Sequence, residues 1–113
     1  MDSILSSIKK LLGLDSDYTP FDQDVIIAIN AALLTLTQLG VGPESGFRIT
    51  GYDETWNDFL GDATDLDAAK EYVYMKARLA FDPPVNASIL QAIKELCSEY
   101  EFRLNVQVDP RDG

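Results

Sequence analysis

The sequence predicts an all-α fold, a small bundle of about four to five helices with a short irregular or hairpin-like loop between the second and third main helices. Three observations predict it. Apolar residues recur at helical spacing in four separate segments. Helix punctuation bounds those segments, most abruptly at Pro83-Pro84, which follows the run from Tyr72 to Phe81. Residues 41–54 form the only long irregular stretch.

The first helix is expected over Ser3 to Leu12. Ile4, Leu5, Ile8, Leu11 and Leu12 share one helical stripe, and Ser3 is placed to cap it. Lys9 and Lys10 suit the negative end of the dipole, and Gly13 suits a left-handed exit. So short a helix is marginal alone. It must dock on its own domain or on another chain, and membrane-surface binding is the disfavoured reading.

The second helix is expected to take Thr19 as N-cap, with Pro20 in the first helical position and Asp22 at the positive end. Phe21, Val25, Ile29, Ala32, Leu36 and Leu39 form a stripe. Ile26, Ile27, Leu33 and Leu34 widen it until little of the helix suits water, which marks it as the core helix. It should end at Gly40, with Val41 reaching back to Leu36 in a Schellman motif. Asn30 interrupts the apolar run. Bonding to a neighbouring backbone group, or a place at the wet edge, is favoured over a register-fixing role at a subunit contact.

Gly42-Pro43 and Ser45-Gly46 mark turns, and Phe47 to Thr50 reads as a short extended piece. Thr55 then caps a short helix carrying Trp56, Phe59 and Leu60, closed by Gly61. Trp56 reads as a lid on the core, with an exposed interface anchor as the alternative.

The third main helix is expected from Thr64 to Phe81, with Thr64 and Asp67 as a capping-box-like pair. Leu66, Ala69, Val73, Ala77 and Ala80 form a small-residue stripe beside a second one of Tyr72, Met75 and Leu79. Two such faces mean a deep core position or a subunit interface. Proline removes an amide donor and pushes Asp82 out of helical geometry, so the exit is fixed covalently. The last helix should begin near Asn86 or Ser88, with Ile89, Ile93, Leu96, Tyr100 and Leu104 on one face beside Leu90 and Cys97. Asn105 to Asp109 alternates polar and apolar, as a strand-like or frayed tail would. The expected organisation is one helical domain over residues 1–105 and an extended or flexible tail over 106–113.

Nine basic and 19 acidic residues give a net charge of −10, with no histidine. Such a chain repels nucleic-acid phosphates and anionic lipid. The commonest general base and metal ligand is missing. One cysteine, Cys97, excludes an internal disulfide and a cysteine-cluster zinc site, and it reads as a buried, inert side chain. Met1-Asp2-Ser3-Ile4-Leu5 does not read as a signal peptide, and no apolar run approaches the ~20 residues of a membrane span.

Asp53, Glu54, Asp58, Asp62, Asp65 and Asp67 suggest a calcium loop, but placing Gly61 sixth puts Trp56 first, where an acid is needed. They read as helix N-terminal acids and a solvated face. No nucleotide-binding loop, nucleophile elbow or zincin motif is present. The chain is therefore expected to be neither an enzyme nor a cofactor or metal carrier. Lys70, Lys76 and Arg78 are the local basic concentration of the central third. They are expected to pair with helix-borne acids, or to meet the acid-rich 53–67 segment of a neighbouring subunit.

The order of these segments, with Gln38 to Pro43 and the run YVYMKARLAFDPP as the most specific parts, resembles the head–tail connector (adaptor) proteins of long-tailed bacteriophages and prophages. The likeness is strongest to versions from phages of Gram-positive bacteria and covers nearly the whole chain. It implies a virion protein at the head–tail junction, assembled in the host cytoplasm as a homo-oligomeric ring of about a dozen subunits. The portal and the head-closure or tail proteins are the implied partners, and DNA would pass through the channel without sequence-specific binding. The short, glycine-rich 41–54 segment departs from the longer hairpin of many connectors.

The residues expected to carry partner or oligomer contacts are Ile4, Leu5, Ile8, Leu11 and Leu12, then Trp56, Tyr72, Met75, Lys76 and Arg78, and in the tail Val106 and Val108. The alternative reading is a helical module that binds a host protein through the Ile4–Leu12 helix. A weaker one is an acidic mimic of nucleic acid.

Overall fold

Local signals place the helix ends. In the computed structural model, which describes residues 3–15, 17–61, 66–81 and 83–108, there are five helices. They are α1 (Ile4–Leu12), α2 (Asp22–Gln38), α3 (Trp56–Leu60), α4 (Leu66–Phe81) and α5 (Ala87–Val108). The all-α expectation holds. The described residues contain no strand, only a lone antiparallel bridge between Ser3 and Thr55.

Ser3 caps α1 by accepting from the Ser6 amide at 3.0 Å, and Gly13 ends it at φ 85°. The end of α2 is a Schellman motif. The Val41 amide donates to Leu36 O at 2.9 Å and the Gly40 amide to Thr37 O at 3.0 Å, while Val41 and Leu36 are both buried. Thr55 and Asp58 form a reciprocal capping box on α3, and Gly61 closes it. Asn86 starts α5 by accepting from the Ile89 amide at 3.0 Å.

Four expectations need correction or restriction. Thr19 does not cap α2 with its side chain. Pro20 and Phe21 form a turn closed by the Asp22 amide on Thr19 O, and the helix starts at Asp22. The start of α4 at Thr64, and its pairing with Asp67, lies outside the described residues. The strand-like reading of the tail is not met over 105–108, because α5 runs on to Val108. Consecutive turns satisfy one another's amides, so continuing a helix needs no partner. The fourth concerns the centre of the bundle. It is α4, not α2, that occupies it.

Helices α2 and α5 both pack on α4, and α1 packs across α2 and α4. Ala69, Tyr72, Val73, Met75 and Ala77 are all buried within the chain, whereas Leu79 is half-buried and Ala80 exposed. The small residues of α4 let the neighbouring axes approach closely. The chain is flat, 47 × 36 × 19 Å. Its thickness matches about two helix layers, since packed axes lie roughly 8–10 Å apart. One broad face of the α2–α4 pair carries α1.

Candidate interaction surface

The face carrying α1 is closed by a polar knot. Lys9 is fully buried, yet its Nζ donates to Tyr18 O and Asp22 Oδ1, both at 2.7 Å, and to Tyr52 Oη at 2.8 Å. The Tyr52 hydroxyl donates in turn to Asp22 Oδ2 at 2.7 Å. An ammonium has three protons to give, and all three are placed. Burial alone would lower the Lys9 pKa, but the bonds to Asp22 and Tyr52 outweigh it and hold it above 10.5. Burial would likewise raise the Asp22 carboxyl, yet the bonds from Lys9 and Tyr52 hold it below 3.8. This cluster ties α1, the entry to α2 and the 41–54 segment together.

Two further polar contacts extend the closure. Asn30 faces the backbone of Ile49, giving Nδ2 to its carbonyl at 3.0 Å and accepting its amide at 2.7 Å. The side chain thus serves as a strand edge for the extended 47–50 piece, in line with the backbone-bonding reading. Trp56 is buried and donates Nε1 to Ser7 Oγ at 2.7 Å, so it lids the core. Between α4 and α5, the Tyr72 hydroxyl donates to Glu101 Oε2 at 2.6 Å. Burial and that carboxylate push its pKa up, which keeps it a donor. Burial also raises the Cys97 thiol, against the pull of Lys76, so the sulfur stays protonated and unreactive.

The outer faces of α2 and α5 are unlike this. Along α2, Ile27 is 65% and Leu34 58% exposed, one and the same helical face seven residues apart. Three hollows of about 420, 300 and 500 Å³ flank this exposed face. The first two share Ala28 and Ala80 and run between α2 and α4, while the third lies between α2 and residues 45–48, on the other flank of the helix. Asp24 and Lys76 line the first and second hollows, and Arg48 lines the third. On α5, Ile89 is 49% and Leu96 44% exposed, again seven residues apart, with Val85 ahead of them and Phe102 on the opposite flank. Isolated exposed apolar groups are ordinary, whereas aligned ones over a groove mark a contact surface.

The expected contact residues fall largely elsewhere. Ile4, Leu5, Ile8, Trp56, Tyr72 and Met75 are buried in the chain's own core, so in this fold they offer a partner no surface. Leu12 is half-buried against that core, and Leu11 is exposed. Lys76 and Arg78 are half-buried, and neither forms an ion pair with an acid among the described residues. Val106 and Val108 lie on the last turn of α5, and their side chains fall outside the described residues. Sequence reasoning missed Ile27, Leu34, Ile89 and Leu96 as surface groups: it counted the first two to the core helix and gave the last two only a shared helix face. Each pair's seven-residue spacing was the available signal.

Nothing in these arrangements assembles a nucleophile with a base. The described residues instead offer a closed polar knot and an open apolar flank. Comparison with known proteins points the same way. No curated protein and no solved structure gives a significant match to the chain. A family model described as phage connector protein matches residues 4–111, from the first residue of α1 to beyond the end of α5. The chain therefore belongs to the phage connector protein family.

Proposed function

We propose that this connector acts as a structural adaptor of the head–tail junction, assembling as a ring under the portal and linking it to stopper or tail proteins around the DNA channel. One observation carries the reading beyond the family itself: the apolar groups of α2 and α5 that the chain leaves uncovered. A protomer with two such faces on different elements suits side-by-side repetition, since a head-to-tail contact between unlike surfaces generates a ring when its rotation closes. The net charge of −10 suits a channel wall that passes DNA without gripping it. The role needs no catalysis and no cofactor. No helix among the described residues is long and apolar enough to cross a membrane.

The host-partner alternative relied on the apolar side of α1, and Ile4, Leu5 and Ile8 are spent on the core. It has no observation in its favour. Co-purification with the portal protein of the same phage, followed by particle imaging, tests the proposal. Rings of this chain on the portal are expected. A chain that neither rings nor binds the portal overturns it.

A further inference from the structure

We infer that α5 is a detachable arm, which lifts off α4 as a unit about the Pro83–Asn86 connection while α1 to α4 stay folded. The inference stands apart from the ring reading. Burial is spread unevenly over the helices. Along α2, buried positions recur in every turn from Val25 to Leu36, and the nine residues of α1 bury Ile4, Leu5, Ile8 and Lys9. On α5, which is 22 residues long, Cys97 and Leu104 alone are buried among the described side chains. Ile93 and Tyr100 are half-buried, and Ile89, Leu96 and Phe102 are exposed. A helix that hides so little apolar surface gains little by staying seated.

The polar ties repeat the contrast. Helix α1 is held by the three bonds of Lys9, by Trp56 Nε1 on Ser7 Oγ and by the Ile4 amide on Glu54 O. Among the described residues, a single hydrogen bond joins α5 to another helix, from the Tyr72 hydroxyl to Glu101 Oε2 at 2.6 Å. The ion pair of Glu99 with Arg103 stays within α5. The start of α5 is also its own. Asn86 accepts from the Ile89 amide with its side chain and from the Leu90 amide with its carbonyl, so both bonds travel with the helix. Pro83 and Pro84 have no amide to give, and Val85 is fully exposed. At 22 residues α5 exceeds the roughly 12–15 below which a lone helix is marginal, so it can leave as a helix. Its departure uncovers the face of α4 around Tyr72, an apolar surface that the seated chain withholds.

Cys97, the one cysteine of the chain, is the probe, in the full-length protein. It is buried midway along α5, so fraying of either end does not expose it. In mildly alkaline buffer, a bulky thiol reagent should modify it at least about tenfold faster than the globally unfolded fraction permits, with little change over low urea concentrations. Glu101→Ala removes the one bond to α4 and should speed modification about five- to tenfold. Asn30→Ala weakens the fold away from α5 and should leave the rate within about twofold of wild type. Modification that tracks global unfolding in wild type and both variants overturns the arm, because α5 then opens only with the whole chain. A Glu101→Ala chain that is folded by circular dichroism and modified no faster than wild type overturns it as well.

Discussion

The two broad sides of this connector spend their side chains differently. On the α1 side, a buried ammonium, a carboxylate and a phenol satisfy one another, and Asn30 and Trp56 find partners as well. On the outer face of α2, Ile27 and Leu34 point outward on either side of exposed Ala31. A closed polar network sets one arrangement of the chain, because any rival arrangement strands a buried charge. An open apolar flank adds little to a lone copy and gains its stabilisation only when something covers it. The first side makes the building block, and in the proposed ring the second joins it to others.

Breaking the closed side should have the largest effect. Lys9→Met leaves Asp22 and Tyr52 without their shared cation and should destabilise the fold by about 3–5 kcal/mol. Urea unfolding at neutral pH measures it. The loss should depend on pH. The folded Asp22 pKa lies below 3.8, so its contribution is full above that value and fades as pH falls through the folded pKa. The folded Lys9 pKa lies above 10.5, so its share is full below that value and fades as pH rises through the folded pKa. The gap between wild type and variant should therefore be widest between those limits and shrink toward both.

A backbone position sharpens the same contrast. Gly42 holds φ 87°, and a β-carbon there would run into the Phe59 ring, itself buried. Gly42→Ala combines the left-handed penalty with overpacking, for an expected loss of about 2–4 kcal/mol. Gly46 shares the sign of φ with open space around it, so Gly46→Ala should lose only the backbone part, about 1–2 kcal/mol. Equal losses in thermal melts of the two variants would show that the Phe59 contact does not matter.

Asn30→Ala removes both bonds to Ile49 and leaves the amide and carbonyl of this buried residue without a partner. About 1–3 kcal/mol should go, with hydrogen exchange rising at Ile49 before the rest of the chain. Uniform exchange across all helices would mean that this residue braces the whole bundle rather than one segment.

How far the sequence could be read follows the range of the interactions involved. Caps, Schellman turns and the capping box of α3 are settled within a few residues, and they were legible at Ser3, Gly40, Thr55 and Gly61. Lys9 was legible only as a charge suited to a helix end. Its partners lie 13 and 43 residues along the chain, and no local pattern announces them. The apolar stripes told which residues avoid water on average but not which would find cover inside one copy. That is why Ile4, Leu5, Ile8, Trp56, Tyr72 and Met75, chosen as contact residues, are interior, while Ile27 and Leu34, counted to the core helix, are exposed. Burial belongs to the packed set, and a stripe wider than its neighbour can cover reads the same either way.

Two adjacent leucines bring the comparison to its smallest and most telling effect. Leu33 is fully buried and Leu34 is 58% exposed, with identical side chains on one stretch of α2. Leu33→Ala opens a cavity and should remove about 2–5 kcal/mol in the isolated chain. Leu34→Ala should stay within about 0.5 kcal/mol of wild type, because it opens no cavity and alanine favours a helix. Its effect should appear only in assembly, as weaker association in sedimentation with an unchanged melt. A Leu34→Ala chain that melts early would place this face in the monomer's own stability and leave α2 with no surplus to share. An unchanged melt with weakened assembly would separate folding from joining at neighbouring positions of a single helix, where the side chain is held constant and only its surroundings differ.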